Sequence, residues 1–231
     1  CSVRRQRQMC IRDSVKRALD LVHEAIKISG KKCLIAGSFP PINVSFRPDL
    51  TGTKDELEDF YGNLGEIYKD NVDIILCESM SSIFEGSNAS TVAKEFSERV
   101  WLSWTNRGHQ PDQLPSTETI SNAVDFSIQA DVECTLINCS HADMASNSIK
   151  ELKRAPKFGI FANSSRFKEV DLSIATKDVD AIHHLNSETI SAKEYALNAL
   201  DWAKEGAFVV GGCCGTTVEH TKEIKLLLNS K

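Results

Sequence analysis

Apolar positions along this chain fall into two alternating kinds of stretch. One kind spaces them for a helix: in "SVKRALDLVHEAIKIS" the residues Val15, Ala18, Leu19, Val22 and Ile26 share a face, with Ser14 placed as an N-cap. "TKDELEDFYGNLGEIYKDN" repeats the pattern through Leu57, Phe60, Tyr61, Leu64 and Ile67. Helices are likewise predicted over "NASTVAKEFSER", "TETISNAVDFSIQAD", "SNSIKELKRA", "SAKEYALNALDWAKEG" and "VEHTKEIKLLLNSK". The other kind is a short, unbroken apolar run: "KKCLIAGS", "VDIILCES", "VWLSWT", "ECTLINCS", "KFGIFANS" and "AFVVGGCC". Runs without apolar–polar alternation are strands buried on both faces, as in a parallel sheet covered by helices.

Strict alternation of these strands with helices defines an α/β chain. Two layouts fit: an open doubly wound sheet or a closed (β/α)8 barrel. The first strand–helix connection has no Gly-x-Gly-x-x-Gly turn, so a dinucleotide fold has no positive support. A barrel takes eight strands and typically ~250 residues. Six runs are present here, and the regular pattern starts with a helix, as though the first strand–helix elements were missing. No linker divides residues 15–231, which read as one domain. The N-terminal "CSVRRQRQMCIRDS" carries no periodicity leading into an element and looks like translated adapter read-through in environmental gene fragments. Residues 1–14 are therefore expected to be a non-native or disordered tail.

Composition narrows the setting. An apolar fraction of 41% and a charged fraction of 26% are those of an ordinary globular protein. No apolar run approaches the ~18 residues of a membrane span. A net charge of −5 disfavours nucleic acid or an anionic membrane as partner. Eight cysteines in 231 residues are too sparse for a disulfide scaffold. With no apolar core at the N-terminus, a secretory leader is not expected, and a reducing cytoplasm is the default location.

Position sorts the thiols. Cys33, Cys77 and Cys134 lie at the start of or inside apolar runs and read as small buried hydrophobes. Cys139, Cys213 and Cys214 lie where strands end, beside polar residues or glycine. In a parallel α/β fold these ends converge on the active site. Adjacent residues of a strand face opposite ways, so Cys213 and Cys214 share a target only if the backbone leaves the strand there. Gly211, Gly212 and Gly215 permit that departure. With Cys139 the pair makes a three-thiol set suited to zinc (Zn2+), leaving one coordination position open as in catalytic sites. Two other readings stay open: a strained vicinal disulfide acting as a redox switch, and two ordinary thiols in a tight turn. His109 and His141 follow strand ends without an assigned role, His183 and His184 read as loop residues, and Trp101 and Trp104 as packing.

"VVGGCCGTT" followed by "EH", with "INC" upstream, resembles the homocysteine S-methyltransferase family, and the similarity runs from about Ser14 to the C-terminus. "IAGSFPP" looks like that family's third barrel strand and "DIILCES" like its fourth. The resemblance implies a (β/α)8 barrel with zinc on Cys139, Cys213 and Cys214. It implies that Glu78 holds the substrate amino group. Ser38 and Asn163, at equivalent strand ends, are expected to line the pocket, and Asn138 to bind there or orient Cys139. Leu136, Ser79 and Val218 stand where the family usually has Gly, Thr and Pro. Nothing matches the family's opening Asp-Gly strand.

The resemblance implies methyl transfer from a sulfonium such as S-methylmethionine, or from a betaine, to the thiol of homocysteine, giving methionine. Metal binding of the substrate sulfur generates the nucleophile, so no dedicated general base is needed. Two alternatives accompany it: an inactive, truncated barrel, and a thiol redox protein using Cys213 and Cys214.

Overall fold

The structure, a computed structural model, describes residues 2–107, 110–165 and 189–229, with side chains from Ile11 onward. Its elements run α1 (Ser2–Ser29), β1 (Ala36–Phe39), α2 (Lys54–Tyr68), β2 (Ile74–Met80), α3 (Ile83–Phe96), β3 (Val100–Trp104), α4 (Ile120–Gln129) and β4 (Cys134–His141). Two short helices follow, α5 (Ala142–Asn147) and α6 (Ile149–Leu152), then β5 (Phe158–Asn163), α7 (Ala192–Lys204), β6 (Val209–Gly212) and α8 (Val218–Asn229). His109, His183 and His184 lie outside the described residues.

Every strand pairs in parallel with its sequence neighbour, giving the order β1-β2-β3-β4-β5-β6. Crossovers between parallel strands are right-handed, so a sheet that grows in one direction keeps all its helices on one face. A doubly wound sheet reverses direction to cover both faces. This order excludes that layout and agrees with part of a barrel.

The helix-covered face is dry. Phe39 stacks on Tyr61 of α2 at 5.0 Å, and Trp104 donates to Ser127 of α4 at 2.9 Å while meeting Phe126 edge-on. Phe39, Ile75, Cys77, Leu102, Trp104, Ile137 and Ile160 are each 0% exposed. Alternation turns Ser38, Glu78, Ser103 and Asn138 to the opposite, inner face. There Ser38 bonds Glu78, Ser103 bonds Asn138, and Trp101 meets Phe208 across the sheet. Inner positions on β1, β2 and β6 are only half-buried, whereas those on β3 and β4 at the centre of the sheet, Ser103, Leu136 and Asn138, are closed.

Three expectations need correction. Helix α1 begins at Ser2, so the stretch before Ser14, read as lacking periodicity, is helical. Strand β1 begins at Ala36, not near Lys31, because its pairing with β2 starts only at Ala36–Ile74. Cys33 consequently lies outside the sheet and is exposed, not a buried hydrophobe.

Candidate metal centre

The site forms at the C-terminal ends of β4, β5 and β6. Asn138 faces inward, so a regular strand would point Cys139 toward the helices. The ladder to β5 shifts between Asn138 and His141, leaving two residues of β4 opposite one of β5, a β-bulge. Cys139 adopts φ +52° there, a left-handed conformation that breaks the alternation. Its Sγ lies 3.5 Å from that of Cys214.

The second corner is a turn built to present adjacent thiols. Cys213 continues the ladder by donating its N–H to Ala162 O at 2.8 Å. Cys214 leaves it: its N–H goes to the side-chain Oδ1 of Asn163 at 3.1 Å, and its carbonyl accepts from Ser164 N–H at 3.0 Å. Gly215 closes the turn at φ +75°, where a side chain would be strained and its Cβ would sit 2.6 Å from Ser164 Oγ. Thr216 donates its hydroxyl to Cys213 O at 2.7 Å. Thr217 then caps α8, donating its N–H to Nδ1 of His220 at 3.1 Å. The His220 ring packs edge-on to Tyr195, whose hydroxyl lies 2.8 Å and 2.7 Å from the carbonyls of Ala162 and Gly211. The turn is thus anchored to β5, α7 and α8.

Within this frame the sulfurs of Cys139, Cys213 and Cys214 all lie within 4.8 Å of one another, and Cys213 to Cys214 is 4.0 Å. Three thiolates at ~2.3 Å from a tetrahedral zinc stand about 3.8 Å apart, so the set fits that ion with one position open. The closest approach is between strands, not within the vicinal pair. The thiols also share protons unequally. Hydrogen bonds from Cys139 and Cys213 draw the Cys214 thiol well below its ordinary range. Cys139, donor in that set and buried, is pushed far up. Cys213 is lowered by its bond with Cys139, yet donation to Cys214 and burial outweigh it and leave the net direction upward. By contrast, burial alone raises Cys77, and burial with the nearby Glu133 charge raises Cys134 to about 12, as expected of inert core thiols.

The predicted pocket residues divide. Ser38 Oγ donates a short hydrogen bond to Glu78 Oε1, and the carboxylate is half-buried. Tyr68 donates to Ser38 O at 3.1 Å; burial, then the Glu78 charge, raises its phenol. Asn163 is 1% exposed, and its Nδ2 has no partner among the described residues. Asn138 is 0% exposed with its amide engaged by Ser79 and Ser103. His141 Nδ1 lies 2.7 Å from Ser165 Oγ, and burial lowers its pKa. Sequence reasoning missed Ser79, Ser103 and Tyr195. His220 entered the sequence analysis only as part of the family motif, without a role of its own.

Comparison with known proteins gives a consistent result. The sequence model described as Homocysteine S-methyltransferase matches residues 2–228, reaching into the stretch set apart above as a tail. Homocysteine S-methyltransferase YbgG of Bacillus subtilis (strain 168) is 24% identical over 211 residues, 87% of this chain and 63% of the relative. The chain therefore spans less than two thirds of that curated relative. Among solved structures, the metallated form of homocysteine methyltransferase MmuM from Escherichia coli superposes with TM-score 0.72 at 18% identity, covering 94% of this chain and 70% of that one. Its apo form gives 0.71 at 17%, covering 95% and 75%. At such identity the likeness establishes the fold.

Proposed function

The chain belongs to the homocysteine S-methyltransferase family, and from that premise we propose that it methylates the thiol of homocysteine to give methionine, at a zinc ion held by Cys139, Cys213 and Cys214. The observation that carries this reading is the convergence of three free thiols from two strands at a spacing that fits zinc. The ion, when bound, supplies the acidity that makes a substrate thiol nucleophilic near neutral pH.

This chain's residues do the rest. Cys139, Cys213 and Cys214 would hold the ion, and three protein thiolates leave a fourth ligand position for the substrate sulfur. Glu78, steadied by the Ser38 hydroxyl, receives the substrate ammonium as a charge-assisted acceptor. Asn163 offers a buried Nδ2 donor beside Cys214 that has no partner among the described residues, which supports a place in the pocket wall. In the transfer, a carbon–sulfur bond forms to homocysteine and the methyl bond of the donor breaks. The electron pair stays on the sulfur or nitrogen of the donor, and the thiol proton passes to solvent. The donor is a sulfonium such as S-methylmethionine, or a betaine.

The same reading completes the sheet. Among the described residues, strands β1 and β6 each pair on one side only and their inner positions are half-open, as in part of a (β/α)8 barrel. Three free thiols suit a reducing cytoplasm.

Methionine formation from homocysteine and S-methylmethionine, or betaine, tests the function. Zinc-loaded protein is expected to form methionine and chelator-treated protein to form none. A folded, zinc-loaded chain that forms none with either donor overturns the reading in favour of an inactive barrel fragment.

A further inference from the structure

We propose that Asn138 is a positioning residue that clamps the strand carrying Cys139 to the strand carrying Glu78, so that one amide sets both corners of the site. The proposal rests on the metal reading above and gives Asn138, expected from the resemblance to bind in the pocket or orient Cys139, the second of those roles, exerted through Ser79.

The geometry begins with two matching irregularities. Between Cys77–Leu102 and Met80–Trp104 the ladder leaves Glu78 and Ser79 opposite Ser103 alone. Between Asn138–Phe161 and His141–Asn163 it leaves Cys139 and Ser140 opposite Ala162 alone. Each bulge holds one left-handed residue that is not glycine, Ser79 at φ +59° and Cys139 at φ +52°. Such conformations cost of order 1 kcal/mol or more and persist where surroundings fix them. Bulges of this kind re-aim side chains beside functional sites.

The Asn138 amide bonds Ser79 directly, and Asn138 precedes Cys139 in the chain. Its Oδ1 accepts the Ser79 backbone N–H at 2.8 Å, a group that the bulge has taken out of the ladder. Its Nδ2 donates to Ser79 Oγ at 2.8 Å, so the amide grips one residue at two points. The hydroxyl of Ser103, on the strand between, donates to the same Oδ1 at 2.7 Å. Asn138, Ser103 and Ser79 are 0%, 0% and 7% exposed, so water does not replace these bonds readily. The backbone of Asn138 leads directly into Cys139, and that of Ser79 follows directly from Glu78. Loosening the amide frees both left-handed residues at once. A change at Ser79, on a strand that carries none of the three thiols, therefore reaches the metal corner through Asn138.

The test is cobalt(II) affinity of the full chain under reducing conditions. Affinity is read by competition with a chromophoric chelator and from the sulfur-to-cobalt charge-transfer absorption. The proteins are the parent, Asn138→Ala, Ser79→Ala and the double variant, each checked for a cooperative melt. Asn138→Ala is expected to weaken cobalt binding about 10–100-fold, the usual loss when a group behind a ligand is removed. Ser79→Ala is expected to weaken it about fivefold, as for one lost hydrogen bond. The double variant is expected to match Asn138→Ala within about twofold, because the second change removes a contact already lost. Additive losses, or single variants within about twofold of the parent, overturn the proposal. Should Asn138→Ala fail to fold, Ser79→Ala decides alone by the same criterion. A parent that binds no cobalt overturns the metal reading and this proposal with it; a binding parent with unaffected variants overturns this proposal only.

Discussion

The two ends of the same sheet are built on opposite terms. At the N-terminal end, Glu133 just before β4 meets the Arg99 guanidinium at 2.9 Å and 3.2 Å, the Trp101 indole at 3.0 Å and the Lys157 ammonium at 3.1 Å. Lys157 also lies 4.8 Å from the centre of the Phe208 ring. One carboxylate with its acceptors used thus ties β3, β4 and β5, with β6 reached through Lys157, and the Arg99 bond chiefly lowers that carboxyl to about 2. At the C-terminal end, three thiols crowd within 4.8 Å, the buried Asn163 amide has a donor without a partner among the described residues, and Ser79 and Cys139 hold left-handed backbones. Left-handed residues occur at both ends, Asp70 and Asp131 before β2 and β4 among them, so the contrast rests on satisfied against unsatisfied groups. In barrel folds these ends are the stability face and the reaction face, and the proposed site follows that division.

The sharpest way to break the comparison is at the thiols. Cys214→Ser should lower metal affinity by about 100-fold or more, since thiolate supplies the soft ligand, while leaving the thermal melt of the metal-free protein nearly unchanged. Plasma emission analysis beside a melting curve checks both halves. Mid-sheet, Gly159→Ala places a Cβ 2.7 Å from Val209 O and 2.9 Å from the Leu136 side chain. Overpacking of this kind should cost about 2–3 kcal/mol, read as a shifted urea midpoint.

Glu133→Gln should destabilise the fold by about 1–3 kcal/mol with cobalt affinity retained. The sign of its pH dependence follows from a lowered folded-state pKa. The contribution of Glu133 is complete above the ordinary carboxylate value and fades as pH falls from about 4.5 toward about 2. Acid titration of stability should show that loss in the parent and not in the variant. An equal loss in both would remove Glu133 from the account. The smallest effect is expected at the exposed Cys33, where Cys33→Ser should change stability by less than about 0.5 kcal/mol and metal content not at all.

Much of this was legible in the sequence, for identifiable reasons. The β2 to β6 runs read correctly because helix-facing residues such as Ile75 and Leu102 are fully buried, and inner ones such as Leu76 and Trp101 are apolar too. Strand ends and glycines suggested the convergence of Cys139 with Cys213 and Cys214 but left a redox pair and a plain turn open; the family resemblance implied the three-thiol set. Helix α3 was placed from Asn88, whereas it starts at Ile83. Its Ser82 cap and Glu85 were readable, but Gly86 obscured them; that glycine is there because a Cβ would strike the Trp104 ring at 2.5 Å. The amide clamp was not legible. Left-handed serine or cysteine leaves no compositional mark, and Asn138 bonding across β3 to Ser79 depends on two bulges that only the folded register reveals.

The central claim is that thiols from two strands hold one metal ion. X-ray absorption at the zinc edge, on protein purified under reducing conditions and analysed for metal content, tests it most directly. The account predicts one zinc per chain with three sulfurs of the protein at about 2.3 Å. A folded protein without zinc, or with zinc bound only through nitrogen and oxygen, would contradict it.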